Sequence, residues 1–132
     1  GFVAALLDSL KLEQQARSQL LEAVSQKNTS ALWSLAEQWA IPQKTRDVLC
    51  RLALLYAPPI EALPQLEQMV CTDAMAAALK ELRQLWNLLE QYGLGDRLRL
   101  DFSVVDDTRY YSGVVFRGFL PGLATGVLSG GR

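Results

Sequence analysis

The sequence predicts an α+β chain, a helical layer followed by an antiparallel β-meander, and three observations predict it. Apolar residues recur at three- and four-residue intervals up to Tyr92. After Gly93-Leu94-Gly95 they recur at every second residue instead. Further on, Leu120-Pro121-Gly122 carries proline and then glycine in the order a type II turn requires. The change of period divides the chain into a helical region, 1–93, and a strand region, 94–132.

Each element has its own signal. Leu12, Ala16, Leu20 and Val24 lie on one helical face. Leu32, Leu35, Ala36 and Trp39 mark a second helix, entered through Asn28-Thr29-Ser30 and closed before Pro42. Val48, Leu49, Leu52, Leu55 and Tyr56 carry the next, which Pro58-Pro59 stops. That pair can also open the following segment at its first turn. Pro64 is expected to split Ile60–Val70 into two short turns. The strongest stripe is Met75, Leu79, Leu82, Trp86 and Leu89, with Thr72 placed as N-cap and Gly93 where a left-handed C-cap belongs. Beyond it, Leu98, Leu100, Phe102 and Val104 alternate with polar residues as a strand with one buried face. Asp106 to Arg109 are expected to turn the chain, Tyr110 to Phe119 to form a second strand, and Leu123 to Ser129 a third.

Composition narrows the function classes. At 132 residues the chain is one domain or a piece of one. Its 13 basic and 14 acidic side chains leave no cationic excess for neutralising phosphates, so nucleic-acid binding is not expected of this piece. There is no histidine, which removes histidine-based triads, general bases and metal ligands. Cys50 and Cys71 share no metal-ligand spacing and read as reduced core thiols, with a disulfide left open. Trp33, Trp39 and Trp86 fall on apolar stripes and read as core, and Arg97, Arg99 and Arg117 as solvated or paired strand faces. No apolar run approaches the ~20 residues of a membrane span, and the chain does not open on a signal-peptide pattern, so a cytoplasmic setting is expected. No metal or cofactor is implied. Because it opens at Gly1 without methionine and stops at Arg132 within a Gly-Gly-Arg, the chain reads as a fragment.

The most informative stretch is Asp101-Phe-Ser-Val-Val-Asp-Asp-Thr-Arg-Tyr-Tyr-Ser-Gly-Val-Val-Phe116, followed by Gly130-Gly131-Arg132. It resembles the histidine-binding signature of histidyl-tRNA synthetases, roughly D-x-S-x-V-R-G-x-D-Y-Y-T-G-x-x-F and then, some twenty residues on, G-G-G-R-Y-D. The tyrosine pair, the hydroxyl residue, the glycine and the phenylalanine match. Specific matches run from about Arg97 to Arg132; before that, only the order of elements agrees. The resemblance implies that residues 1–93 are a helical insertion in a class II synthetase-like core, and that 94–132 are strands of that core.

It also implies roles. Tyr110, Tyr111, Ser112, Gly113, Gly130 and Gly131 would line a histidine-like pocket, with Tyr111 the ring that contacts the ligand. The residues alone allow plainer readings. Tyr110 and Tyr111 suit a packed sheet, Gly113 suits a bulge, and Gly130-Gly131 suit a turn.

One departure decides the function. Asp106 stands where the synthetases carry an arginine close to the phosphates and carboxylate at the activation step, and Arg109 stands where they carry an acid. At an effective dielectric of about 20, unit charges ~4 Å apart interact by about 4 kcal/mol, so reversing the sign swings a large part of the roughly 8 kcal/mol or more by which an enzyme lowers a barrier. Asp106 and Asp107 also suit a polar turn, and that reading equally leaves the arginine missing.

The resemblance therefore implies the non-catalytic branch of the family, the regulatory subunits of ATP phosphoribosyltransferase in histidine biosynthesis. Such a protein partners the catalytic subunit, takes histidine as effector, and is expected as a homodimer within a hetero-oligomer. The alternatives are a true histidyl-tRNA synthetase, an ATP-dependent ligase, and a helical interaction module with incidental strands.

Overall fold

The computed structural model describes residues 1–104 and 113–132, and its helices begin and end where local chemistry says they should. α1 (Phe2–Ser9) buries Phe2, Leu6 and Leu7. α2 (Gln14–Ser25) buries Ala16, Leu20, Ala23 and Val24 along one face. The chain then reverses within two residues. Lys27 takes a left-handed φ of 53°, its N–H bonds the Val24 carbonyl, and the Asn28 N–H bonds the Ala23 carbonyl, both at 3.0 Å. Asn28 at once caps α3 (Thr29–Gln38), its Oδ1 accepting the Ala31 N–H at 3.0 Å.

The exit from α3 repeats the device. Ala40 sits at φ 50°, and the Ile41 N–H reaches back to the Ala36 carbonyl at 2.9 Å. Pro42 then precedes α4 (Gln43–Leu54), which buries Leu49, Leu52 and Ala53. α5 (Pro59–Met69) has Pro59 in its first turn and runs unbroken through Pro64. The expected split does not occur. Pro64, the sixth of eleven residues, forgoes its own hydrogen bond to the Ile60 carbonyl, but Leu63, Leu66 and Met69 on either side of it remain buried and keep the helix in one piece. α6 (Asp73–Gln91) begins on the Thr72 hydroxyl, which accepts the Met75 N–H at 3.1 Å. It ends at Gly93, φ 72°, with the Leu94 N–H on the Leu89 carbonyl. α1 and α5 pack on α6, α2 to α4 pack on one another, and an ion pair from Arg83 to Glu67 ties α6 to α5. Among the described residues no polar or charged side chain is buried, so the helical layer is held by apolar burial.

The strands form two separate two-stranded antiparallel sheets. In the first, β1 (Tyr56–Ala57) pairs with β2 (Leu100–Asp101), with Tyr56 opposite Asp101 and Ala57 opposite Leu100. In the second, β3 (Val115–Gly118) pairs with β4 (Leu128–Gly131). The chain is thus α+β with antiparallel pairing, as expected, but its strands are shorter or shifted. Of the anticipated strand Tyr110 to Phe119, β3 takes Val115–Gly118; the first three residues of that strand, like the anticipated turn at Asp106 to Arg109, lie outside the described residues. The anticipated strand over Leu98–Val104 shrinks to β2, preceded by a 3-10 turn at Gly95–Arg97. Local side-chain bonds compete with the ladder there. Arg99 donates to the Asp96 and Leu98 carbonyls, and Asp101 accepts the Ser103 N–H. β2 finds its partner in β1, a segment read as the end of a helix, rather than in the next strand of a three-stranded meander. Leu120–Leu123 is the type II turn anticipated, with Gly122 at φ 85° and the Leu123 N–H on the Leu120 carbonyl, and the third strand starts later than expected, at Leu128.

Ala40 is exposed and holds a conformation that disfavours any Cβ. Replacing it by glycine (Ala40→Gly) should stabilise the protein by about 0.5–1 kcal/mol, the relief of left-handed strain outweighing the greater entropy glycine loses on folding. A thermal melt checks this, and the midpoint should rise by about 2–6 °C.

Candidate functional site

The described part of the motif starts at Asp101, where four parts of the chain meet. Its Oδ1 accepts the Ser103 N–H at 2.9 Å and the Ser103 hydroxyl at 2.6 Å, folding Asp101–Ser103 into a tight turn. The same oxygen accepts the Lys27 ammonium at 3.1 Å. Lys27 Nζ also donates to the Ala53 carbonyl at 3.2 Å, in the last turn of α4, where a cation complements both an unpaired carbonyl and the helix dipole. Between Asp101 and Ser103, the Phe102 ring packs against Phe2 with centroids 6.0 Å apart.

Burial alone would raise the Asp101 pKa. The hydrogen bonds from the Ser103 hydroxyl and amide, and then the Lys27 ammonium, outweigh it and hold the carboxyl below its ordinary value.

Of the residues expected to line a pocket, Tyr110, Tyr111 and Ser112 lie outside the described residues, as does Asp106, expected at the position of the family's arginine. The three glycines are described, and all belong to one hairpin. The Gly113 N–H donates to the Arg132 carbonyl at 3.0 Å, and the Arg132 N–H donates to the Val114 carbonyl at 3.1 Å, extending the β3–β4 pairing outward. Gly131 faces Val115 and Gly130 faces Phe116. The structure thus brings together two glycine stretches that lie far apart in sequence, and it gives Gly130 a packing reason of its own. A Cβ there would stand 2.7 Å from Cζ of Phe116, so that ring lies over the bare backbone. At Gly113 a Cβ would meet Arg132 no closer than 3.6 Å, an ordinary contact. Gly130-Gly131 are strand residues and not a turn.

Other expectations change with the geometry. Cys50 is half-buried and Cys71 is exposed, so only the first resembles a core thiol, and both are free. Burial and then the Asp47 carboxylate raise the Cys50 pKa, against a smaller opposing effect of Arg46, which makes it a poor nucleophile. Trp33 is 48% exposed, with the Arg46 guanidinium 3.4 Å from its ring centroid. Trp39 is half-buried and donates from Nε1 to Gln19. Trp86 is also half-buried and lines a shallow groove between α5 and α6 with Pro59, Ile60 and Leu63. The sequence reading missed Lys27. No local pattern marks a lysine whose carboxylate partner is 74 residues away.

Because the Asp101 pKa is lower folded than unfolded, its stabilising contribution is complete above the ordinary aspartate value, about 3.9, and is lost as pH falls through the folded value. Asp101→Asn should cost about 1–2 kcal/mol at neutral pH, and the gap from the parent should narrow below about pH 4. Denaturant melts of both proteins across pH check this.

The comparisons with known proteins agree on one family. The histidyl-tRNA synthetase family model matches residues 1–132. A curated protein of Alkaliphilus metalliredigens named ATP phosphoribosyltransferase regulatory subunit is 30% identical over 128 residues, covering 97% of this chain and 32% of the relative. One of the same name from Geobacter metallireducens is 30% identical over 132 residues, covering 100% of this chain and 30% of the relative. A crystal structure described as an ATP phosphoribosyltransferase regulatory subunit/histidyl-tRNA synthetase from Bacillus halodurans superposes with a TM-score of 0.83 at 26% identity, over 99% of this chain and 34% of that one. The chain therefore spans about a third of the length of the relatives it matches. It belongs to the histidyl-tRNA synthetase family and shares the class II synthetase-like fold of that regulatory-subunit structure.

Proposed function

We propose that the protein to which these residues belong is a non-catalytic regulatory subunit of ATP phosphoribosyltransferase, acting in histidine biosynthesis in the cytoplasm. The observation that carries the proposal is similarity over the whole chain to curated proteins of that name. Asp106 supports it from the chemistry. A carboxylate in place of the family's arginine repels the phosphates and carboxylate that adenylation must hold together. The subunit would assemble with the catalytic subunit, which performs phosphoribosyl transfer to ATP, as a homodimer within a hetero-oligomer. Residues 1–93 would be its helical insertion and 94–132 part of its synthetase-like core.

Histidine would act as effector through differential affinity. A state of the complex that binds histidine better becomes populated by no more than that difference. The pocket would use Tyr110, Tyr111, Ser112 and Gly113 from the motif, with Gly130 and Gly131 from the paired strand.

The family model's own description favours the other reading, a histidyl-tRNA synthetase. Histidine-dependent ATP–pyrophosphate exchange by the full-length protein separates the two, and the proposal expects none above background. Robust exchange would establish the ligase. For the pocket, Tyr111→Ala in the full-length protein should weaken histidine's effect on the complex by about tenfold or more, read as a shift in the histidine dose-response of phosphoribosyl transfer. An unchanged response would mean that histidine acts elsewhere.

A further inference from the structure

We draw no further inference here: the strongest candidate, the shallow apolar groove between α5 and α6 lined by Pro59, Ile60, Leu63 and Trp86, is an unpartnered face, and nothing among the described residues shows what covers it.

Discussion

A ladder of two backbone pairs, Tyr56 with Asp101 and Ala57 with Leu100, joins the helical layer to the strand that opens the motif. Such a ladder does not stand alone. It holds because the segments on either side are anchored by different physics. α4 and α5 flank β1 and are rooted in a dry core that includes Leu49, Leu52, Leu63 and Leu66. β2 is rooted by one carboxylate oxygen that serves Ser103 and Lys27 together. The helices thus determine where the motif begins, because β2 inherits its placement from them.

The β3–β4 hairpin has a different character. Val114, Phe116, Phe119, Leu120, Leu123, Val127 and Leu128 are each between 40% and 61% exposed, and none belongs to the helical core. Its internal fit is nonetheless specific. Phe116 lies over Gly130, and Leu128 lies over Gly118, where a Cβ would come within 2.8 Å. Those glycines are accounted for by packing between strands. For Gly130 this adds a structural demand to the ligand contact proposed for it, and one substitution there would disturb both.

Much of the helical layer was legible because its signals are local. Thr72 caps the helix it was expected to cap, Asn28 caps the one expected to open through Asn28-Thr29-Ser30, Gly93 takes the left-handed turn assigned to it, and Pro121-Gly122 makes its type II turn. What escaped the sequence is what local pattern does not encode. Lys27 and Ala40 end helices in a conformation usually reserved for glycine, so nothing in their side chains announced it. Tyr56 continues the apolar period of α4, yet Pro58 restricts Ala57, the residue before it, to extended backbone, and Tyr56–Ala57 form a strand. Alternation over Leu98–Val104 argued for a long strand, while the Asp-x-Ser spacing at Asp101 and Ser103 argued for a turn. The short-range hydrogen bonds won. For the candidate site, the motif made the family legible, and its glycines fall on one hairpin. The ammonium that fastens its first residue belongs to a helix–helix turn and had no signature.

Under the proposed function Asp106 takes the place of the arginine used for adenylation, in a chain whose helical layer and motif strand are joined through β1 and β2. Such a protein can retain amino-acid recognition while acting only through a partner. The most direct measurement adds the full-length protein to the catalytic subunit of ATP phosphoribosyltransferase from the same source and follows phosphoribosyl transfer with and without histidine. The account predicts that transfer rises on addition and that histidine suppresses the rise. Transfer that is unchanged by the protein at saturating concentration would contradict it.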